Sequence, residues 1–85
     1  MILTAELSLY PLAEDYIPPI SEFISALRKR PGLTLVVNAM STQLRGEHEA
    51  VMAAVSAVLR DSAERYGAQV LVCKFIPLAL GIEGD

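Results

Sequence analysis

Apolar and polar residues alternate strictly at the start of the chain. Leu3, Ala5, Leu7 and Leu9 interleave with Thr4, Glu6, Ser8 and Tyr10. A period of two marks a strand with one buried face, so residues 2–10 predict a strand. Pro11 should end it, because proline has no N–H to give to a ladder. Residues 12–17 read as a connection, with Asp15 as a candidate helix cap. Pro18 and Pro19 then fit only the first turn of a helix. Ile20, Phe23, Ile24 and Leu27 carry a three-and-four stripe to about Arg30, where Pro31-Gly32 stops it.

Leu33 to Met40 predicts a second strand, nearly continuous in apolar residues and β-branched at its centre. A short third strand is expected over Thr42–Arg45, tightly connected to the second. A longer helix follows from about Glu47 to Tyr66. Val51, Met52, Val55, Val58, Leu59 and Tyr66 repeat along it at three and four, and Gly67 is a natural C-terminal breaker. Residues 69–76 are the last strand, ended by Pro77. The tail from Leu78 to Asp85 has two glycines and no period. It is expected either to be loose or to pack across a subunit boundary.

The order βαββαβ is that of the ferredoxin-like split βαβ motif, an α+β fold. Right-handed crossovers place the first and third strands in the middle of a four-stranded antiparallel sheet, with both helices on one face. The other face is open. Thr4, Glu6, Ser8 and Tyr10 on that face are too polar for a core, so a ligand or a partner subunit is expected there.

Size sharpens this expectation. Eighty-five residues make one small domain, of which 53% are hydrophobic, with a mean hydropathy of +0.42. A chain this short buries only about 60–65% of its unfolded surface. Leftover apolar patches usually become interfaces, so a homodimer or homotetramer is expected. A core unusually rich in Ala and Val is the alternative.

Charge and cysteine usage exclude several function classes. The net charge is −3, and the cluster Arg28-Lys29-Arg30 falls where cations favour a helix C-terminus. No basic stripe carries interleaved aromatics, which argues against nucleic acid as a partner. No apolar run approaches the ~20 residues of a membrane span, and no signal peptide is recognisable. Cys73 is the lone cysteine and His48 the lone histidine, too few for an internal disulfide or a zinc site. A cytoplasmic location and the absence of a cofactor are the default expectations.

Candidate chemistry concentrates in Asn38-Ala39-Met40-Ser41-Thr42-Gln43-Leu44-Arg45-Gly46, where an apolar run ends in amide and hydroxyl side chains. Such groups donate and accept hydrogen bonds without charge, which suits recognition of a neutral or cationic heterocycle better than acid–base work. The first strand ends in the same manner at Ser8 and Tyr10, and the two polar ends suggest one shared pocket. His48 and Cys73 form the only nucleophile–base candidates, with no third group to orient the base. No catalytic residue is therefore expected.

Ser8-Leu9-Tyr10-Pro11, Pro19-Ile20, Met40-Ser41-Thr42 and Arg45-Gly46 resemble the thiamine/hydroxymethylpyrimidine-binding YkoF-like family. Tyr66-Gly67-Ala68-Gln69-Val70 and Lys74-Phe75-Ile76-Pro77 are similar to its last helix-to-strand junction. The resemblance implies a ferredoxin-like domain, used in pairs, that binds thiamine or its pyrimidine half without transforming it. Such a protein would serve vitamin B1 salvage, transport or buffering. With one domain in this chain, a pair needs two subunits.

On this reading the ligand-binding candidates are Ser8, Tyr10, Asn38, Met40, Ser41 and Thr42. Tyr10 can stack on a pyrimidine ring or simply close the sheet face. Ser41 and Thr42 can satisfy the amino group and ring nitrogens of an aminopyrimidine, or serve as ordinary turn residues. Asn38, read as a carboxamide inside an aliphatic strand, must find partners in a ligand, at an edge or in a dimer contact. Met40 offers a soft thioether or core filler. Glu6 can accept from a ligand's amino group or balance a thiazolium charge, but a cross-strand pair with Lys74 is the stronger expectation, and Arg45 is expected to be a turn arginine or a phosphate or subunit contact. The alternative function is a structural or regulatory oligomerisation module without a small ligand, since this fold hosts many roles.

Overall fold

The structure, a computed structural model, describes residues 1–84. Its elements are β1 (Ile2–Pro11), α1 (Ile17–Arg28), β2 (Thr34–Val37), β3 (Thr42–Glu47), α2 (His48–Tyr66) and β4 (Gln69–Ile76). The strands form one antiparallel sheet in the order β2-β3-β1-β4, with β3 and β1 central. This is the ferredoxin-like α+β arrangement expected from the order of elements.

The alternation in β1 decides which face is covered. Leu3, Ala5 and Leu7 are buried with Leu44 of β3, Phe23 and Leu27 of α1, and Val51, Ala54, Val55 and Val58 of α2. Leu7, Leu27, Leu44 and Val51 are the largest wholly buried side chains. Each is worth about 1.5–3 kcal/mol relative to exposure, so these four anchor both helices to the central strands.

Several element ends differ from expectation, each for a local reason. β1 includes Pro11, which lies opposite Gln69. Pairing with β3 has already ended at Leu7 and Thr42, so no neighbour on that side asks Pro11 for an N–H. Asp15 does not cap α1; Tyr16 precedes the helix without a side-chain cap, and the prolines of the first turn have no donors to satisfy. α1 ends at Arg28, and the Lys29 and Arg30 amides close a tighter turn onto the carbonyls of Ala26 and Leu27.

β2 is four residues long, shorter than its apolar run. The Asn38 amide donates to the Ser41 carbonyl at 2.8 Å, closing a turn that ends the ladder at Val37 opposite Thr42. β3 instead runs further than expected, to Glu47 opposite Ile2. Gly46 lies inside it because the turn between α1 and β2 comes so close: a Cβ there would sit 2.6 Å from the Gly32 carbonyl oxygen. In α2 the buried line is Val51, Ala54, Val55, Val58 and Ser62, whereas Met52 is exposed and Leu59 half-buried. Those two flank the stripe rather than forming it. Gly67 ends α2 at a positive φ of 84°, as its position after Tyr66 suggests.

The tail packs on its own sheet. It crosses the open face of its own sheet, where the Thr4 hydroxyl donates to the Leu78 carbonyl at 2.6 Å and accepts from the Leu80 amide at 3.1 Å. Arg45 Nη1 donates to the Leu80 carbonyl at 2.5 Å, so this arginine holds the tail. The part of the tail expectation that concerns Asp85 lies outside the described residues.

Candidate ligand-binding cleft

β1 outruns β3 at one end of the sheet. Ser8 to Pro11 pair with β4 alone, since the ladder with β3 stops at Leu7. The vacant strand position is bounded by the turn between β2 and β3 and, on the covered side, by α1. A cleft of about 160 Å³ lies there. Leu7, Leu9, Ile20, Phe23 and Ile24 form its apolar floor, and Ser8, Tyr10, Met40, Ser41 and Thr42 are around it.

Five of the six candidate residues are therefore brought together. Asn38 is not among those lining the cleft: it sits exposed in the turn beyond β2, not inside a strand. Met40, at 91% exposed, projects from the same turn and is not core filler. Tyr10 is half-exposed at the end of β1, and Thr42 is buried at the start of β3.

Register separates Ser41 from Thr42. Thr42 lies opposite Leu7 and shares its face toward the helices. Ser41 precedes it by one residue and turns to the open face, where its hydroxyl donates to Glu6 Oε2 at 3.0 Å. The other Glu6 oxygen lies 3.6 Å from Lys74 Nζ, the expected cross-strand pair. The Ser41 hydrogen bond holds the Glu6 carboxyl below its ordinary pKa; partial burial opposes this, and Gln43 and Lys74 reinforce it.

The apolar floor was not legible as part of a site. Ile20 and Ile24 read as core stripe, yet both are only half-buried, because they face the vacant strand position rather than a packed neighbour.

The remaining chemistry is dispersed. His48 starts α2 next to Glu47, opposite Ile2, while Cys73 lies opposite Leu7. Five residues of strand separate those points, about 16 Å. Burial pushes the Cys73 thiol up to about 11, away from the thiolate form. Among the described residues no group of His, Cys, Asp and Glu could hold a metal ion. No helix there is long and apolar enough to cross a membrane.

A larger groove of about 410 Å³ runs between α1 and α2, but none of the six candidates lines it. Its charged wall is self-satisfied at one end, where Glu22 accepts from Arg65 at 3.1 Å and from the Tyr66 hydroxyl. The smaller cleft is the better binding candidate because it joins an apolar floor to uncharged polar groups.

Strand order, helices on one face and a ring-sized cleft where β1 outruns β3 define a ferredoxin-like α+β domain. The chain belongs to the YkoF-related family, whose sequence pattern matches residues 2–76. No curated protein matches it. Among solved structures it is similar to a protein from Streptococcus pneumoniae, at 23% identity and a TM-score of 0.86, covering 99% of this chain and 96% of that one. It is also similar to a Thermotoga maritima protein to which a role in thiamine biosynthesis or salvage has been ascribed. That likeness has 20% identity and a TM-score of 0.85, and covers 99% of this chain and 94% of that one. A domain of unknown function from Bacillus cereus, 19% identical with a TM-score of 0.81, covers 100% of this chain and 86% of that one. These likenesses concern the fold.

Proposed function

We propose that this protein binds thiamine through its hydroxymethylpyrimidine half, without transforming it, and serves vitamin B1 salvage, transport or buffering. The observation that carries this reading is the cleft at the end of β1, whose floor is apolar and whose rim is uncharged and polar. About 150 Å³ accommodates a benzene-sized ring, whereas drug-sized ligands occupy ~300–1,000 Å³. A cleft of about 160 Å³ thus suits one six-membered ring and leaves a second ring outside. Family membership and the role ascribed to the Thermotoga protein support the same ligand class.

In this proposal the ring lies against Leu9, Ile20 and Ile24, and Tyr10 supplies an aromatic wall. Thr42, on the helix side, offers its hydroxyl to the ring nitrogens and exocyclic amine. Among the described residues that line the cleft there is no His, Cys, Asp, Glu or Lys, and the expected outcome is binding alone. Thermal shift with thiamine, its phosphates and free hydroxymethylpyrimidine tests this: a ligand of the folded state raises the melting temperature with concentration. Comparable shifts for thiamine and the free pyrimidine, with unmodified ligand recovered afterwards, are expected. No shift with any of them at saturation overturns the proposal.

A further inference from the structure

Opposite residues of an antiparallel ladder alternate between pairs that exchange both hydrogen bonds and pairs that exchange none. In a central strand, the N–H and C=O of one residue therefore point to one neighbour, and those of the next residue to the other. Two bonds just outside the ladders show which residues of β1 face which way. The His48 amide donates to the Met1 carbonyl at 2.9 Å, one step beyond the Ile2–Glu47 pair, so odd-numbered residues turn toward β3. The Leu12 amide donates to the Ala68 carbonyl at 3.1 Å, one step beyond Pro11–Gln69, so even-numbered residues turn toward β4. Both registers run along β1 without a bulge, and its two ends agree.

Leu9 is thus the residue whose N–H and C=O both enter the vacant strand position. The ladder with β3 has already ended at Leu7–Thr42, and among the described residues neither group of Leu9 has a hydrogen-bond partner. Pro11, next on that side, brings a carbonyl but no N–H. Leu9 is half-buried and lines the cleft, so only solvent or a ligand can meet its two main-chain groups. A backbone donor or acceptor shut away without a partner costs more than a typical bond returns, which favours an occupant that satisfies both.

We propose, resting on the binding function above, that the Leu9 main chain is the recognition edge of the cleft. Its N–H donates to a ring nitrogen of the ligand, and its C=O accepts from the exocyclic amine beside that nitrogen. An aminopyrimidine carries an acceptor and a donor side by side on one edge, as a neighbouring strand residue would. The ring then stands edge-on to β1, where β3 would continue, with Ile20 and Ile24 on its helix side. This orientation leaves the second hydrogen of the amine to Thr42. An extended peptide could meet the same two groups, but the turn through Ala39, Met40 and Ser41 and the side of α1 bound a space of about 160 Å³, the size of one ring. Neither Leu9 group is charged, so the class selected is a neutral six-membered heterocycle with an amine next to a ring nitrogen. A ring without the amine leaves the Leu9 carbonyl unpaired. Because the main chain supplies these contacts, no side-chain motif marks them.

Hydrogen exchange followed by NMR on the full chain tests this, with calorimetry alongside. In the free protein the Leu9 amide should exchange about tenfold or more faster than the Ser8 and Tyr10 amides, which pair with β4. Saturation with free hydroxymethylpyrimidine should slow Leu9 exchange by about tenfold or more and leave Ser8 and Tyr10 as they were. The analogue with hydrogen in place of the amine should bind about threefold or more weakly. A Leu9 amide as protected as its neighbours in the free protein overturns the proposal without any ligand. Calorimetric binding of the pyrimidine with Leu9 exchange unchanged, or equal affinity for the amine-free analogue, also overturns it while the binding function stands. No binding of the pyrimidine by either method overturns the binding function itself, and the role of Leu9 with it.

Discussion

The Ser41 hydroxyl donates to Glu6 Oε2 at 3.0 Å, tying the turn between β2 and β3 to the central strand β1. Glu6 in turn lies 3.6 Å from Lys74 of β4, so one carboxylate links three parts of the sheet. The backbone bond from the Asn38 amide to the Ser41 carbonyl fixes the same turn from within. Together they hold the lip of the cleft in place before any ligand arrives. Ser41 is thus a positioning residue, and the hydroxyl on the cleft's helix side is that of Thr42.

That arrangement predicts an acid dependence. The Ser41 hydrogen bond lowers the Glu6 pKa in the folded state. A depressed carboxyl pKa contributes stability above the unfolded value, and loses it as pH falls through the folded one. The Glu6 carboxyl carbon should therefore titrate at lower pH in the native protein than in Ser41→Ala, as followed by NMR. Identical titration curves would show that the hydroxyl does not act on the carboxylate.

Binding should divide the two neighbouring hydroxyls. Thr42→Val is close to isosteric and should weaken pyrimidine binding by roughly the 0.5–1.5 kcal/mol of one hydrogen bond, with the fold intact. Ser41→Ala should act indirectly, by loosening the turn. Adding Glu6→Gln to Ser41→Ala should cost little more, since both changes remove one link. Calorimetry on the two single variants and the double variant checks this, and unchanged affinity in Thr42→Val removes Thr42 from the site.

How far these relationships were legible follows from what each one needs. Leu3, Ala5 and Leu7 announce their buried face through alternation alone, and β4 was bounded correctly because Gly67 and Pro77 punctuate it. Asn38 was misplaced because an apolar run says nothing about where a turn will close. Ser41 and Thr42 looked like one unit because composition cannot see register, which sends adjacent side chains to opposite faces. Half-buried Ile20 and Ile24 became cleft floor only through the vacant position beside β1.

Gly46 illustrates a residue whose reason lies wholly in three dimensions. A Cβ at this position would stand 2.6 Å from the Gly32 carbonyl oxygen and 3.0 Å from Leu33 Cδ2. The first contact is with backbone, so the turn itself must move. Gly46→Ala should destabilise by about 1–3 kcal/mol, in the range of other overpacked sites. Urea denaturation measures it, and a midpoint equal to that of the parent would show that the turn shifts freely.

The tail gives the last prediction. Thr4 is 4% exposed and its hydroxyl both donates to Leu78 and accepts from Leu80, so one side chain satisfies two backbone groups of the tail. Thr4→Val keeps the shape and removes both bonds. The Arg45 contact to the Leu80 carbonyl remains, so the tail should loosen rather than detach. Two hydrogen bonds at about 0.5–1.5 kcal/mol each set the scale of the loss. Hydrogen exchange reads it at one amide: Leu80 N–H should lose protection in Thr4→Val while core amides such as Leu44 keep theirs. Arg45→Met alone should have a smaller effect at Leu80, because that amide bonds to Thr4 and not to the arginine. Equal protection of Leu80 in the parent and in Thr4→Val would mean that the tail is held by its apolar side chains and not by Thr4.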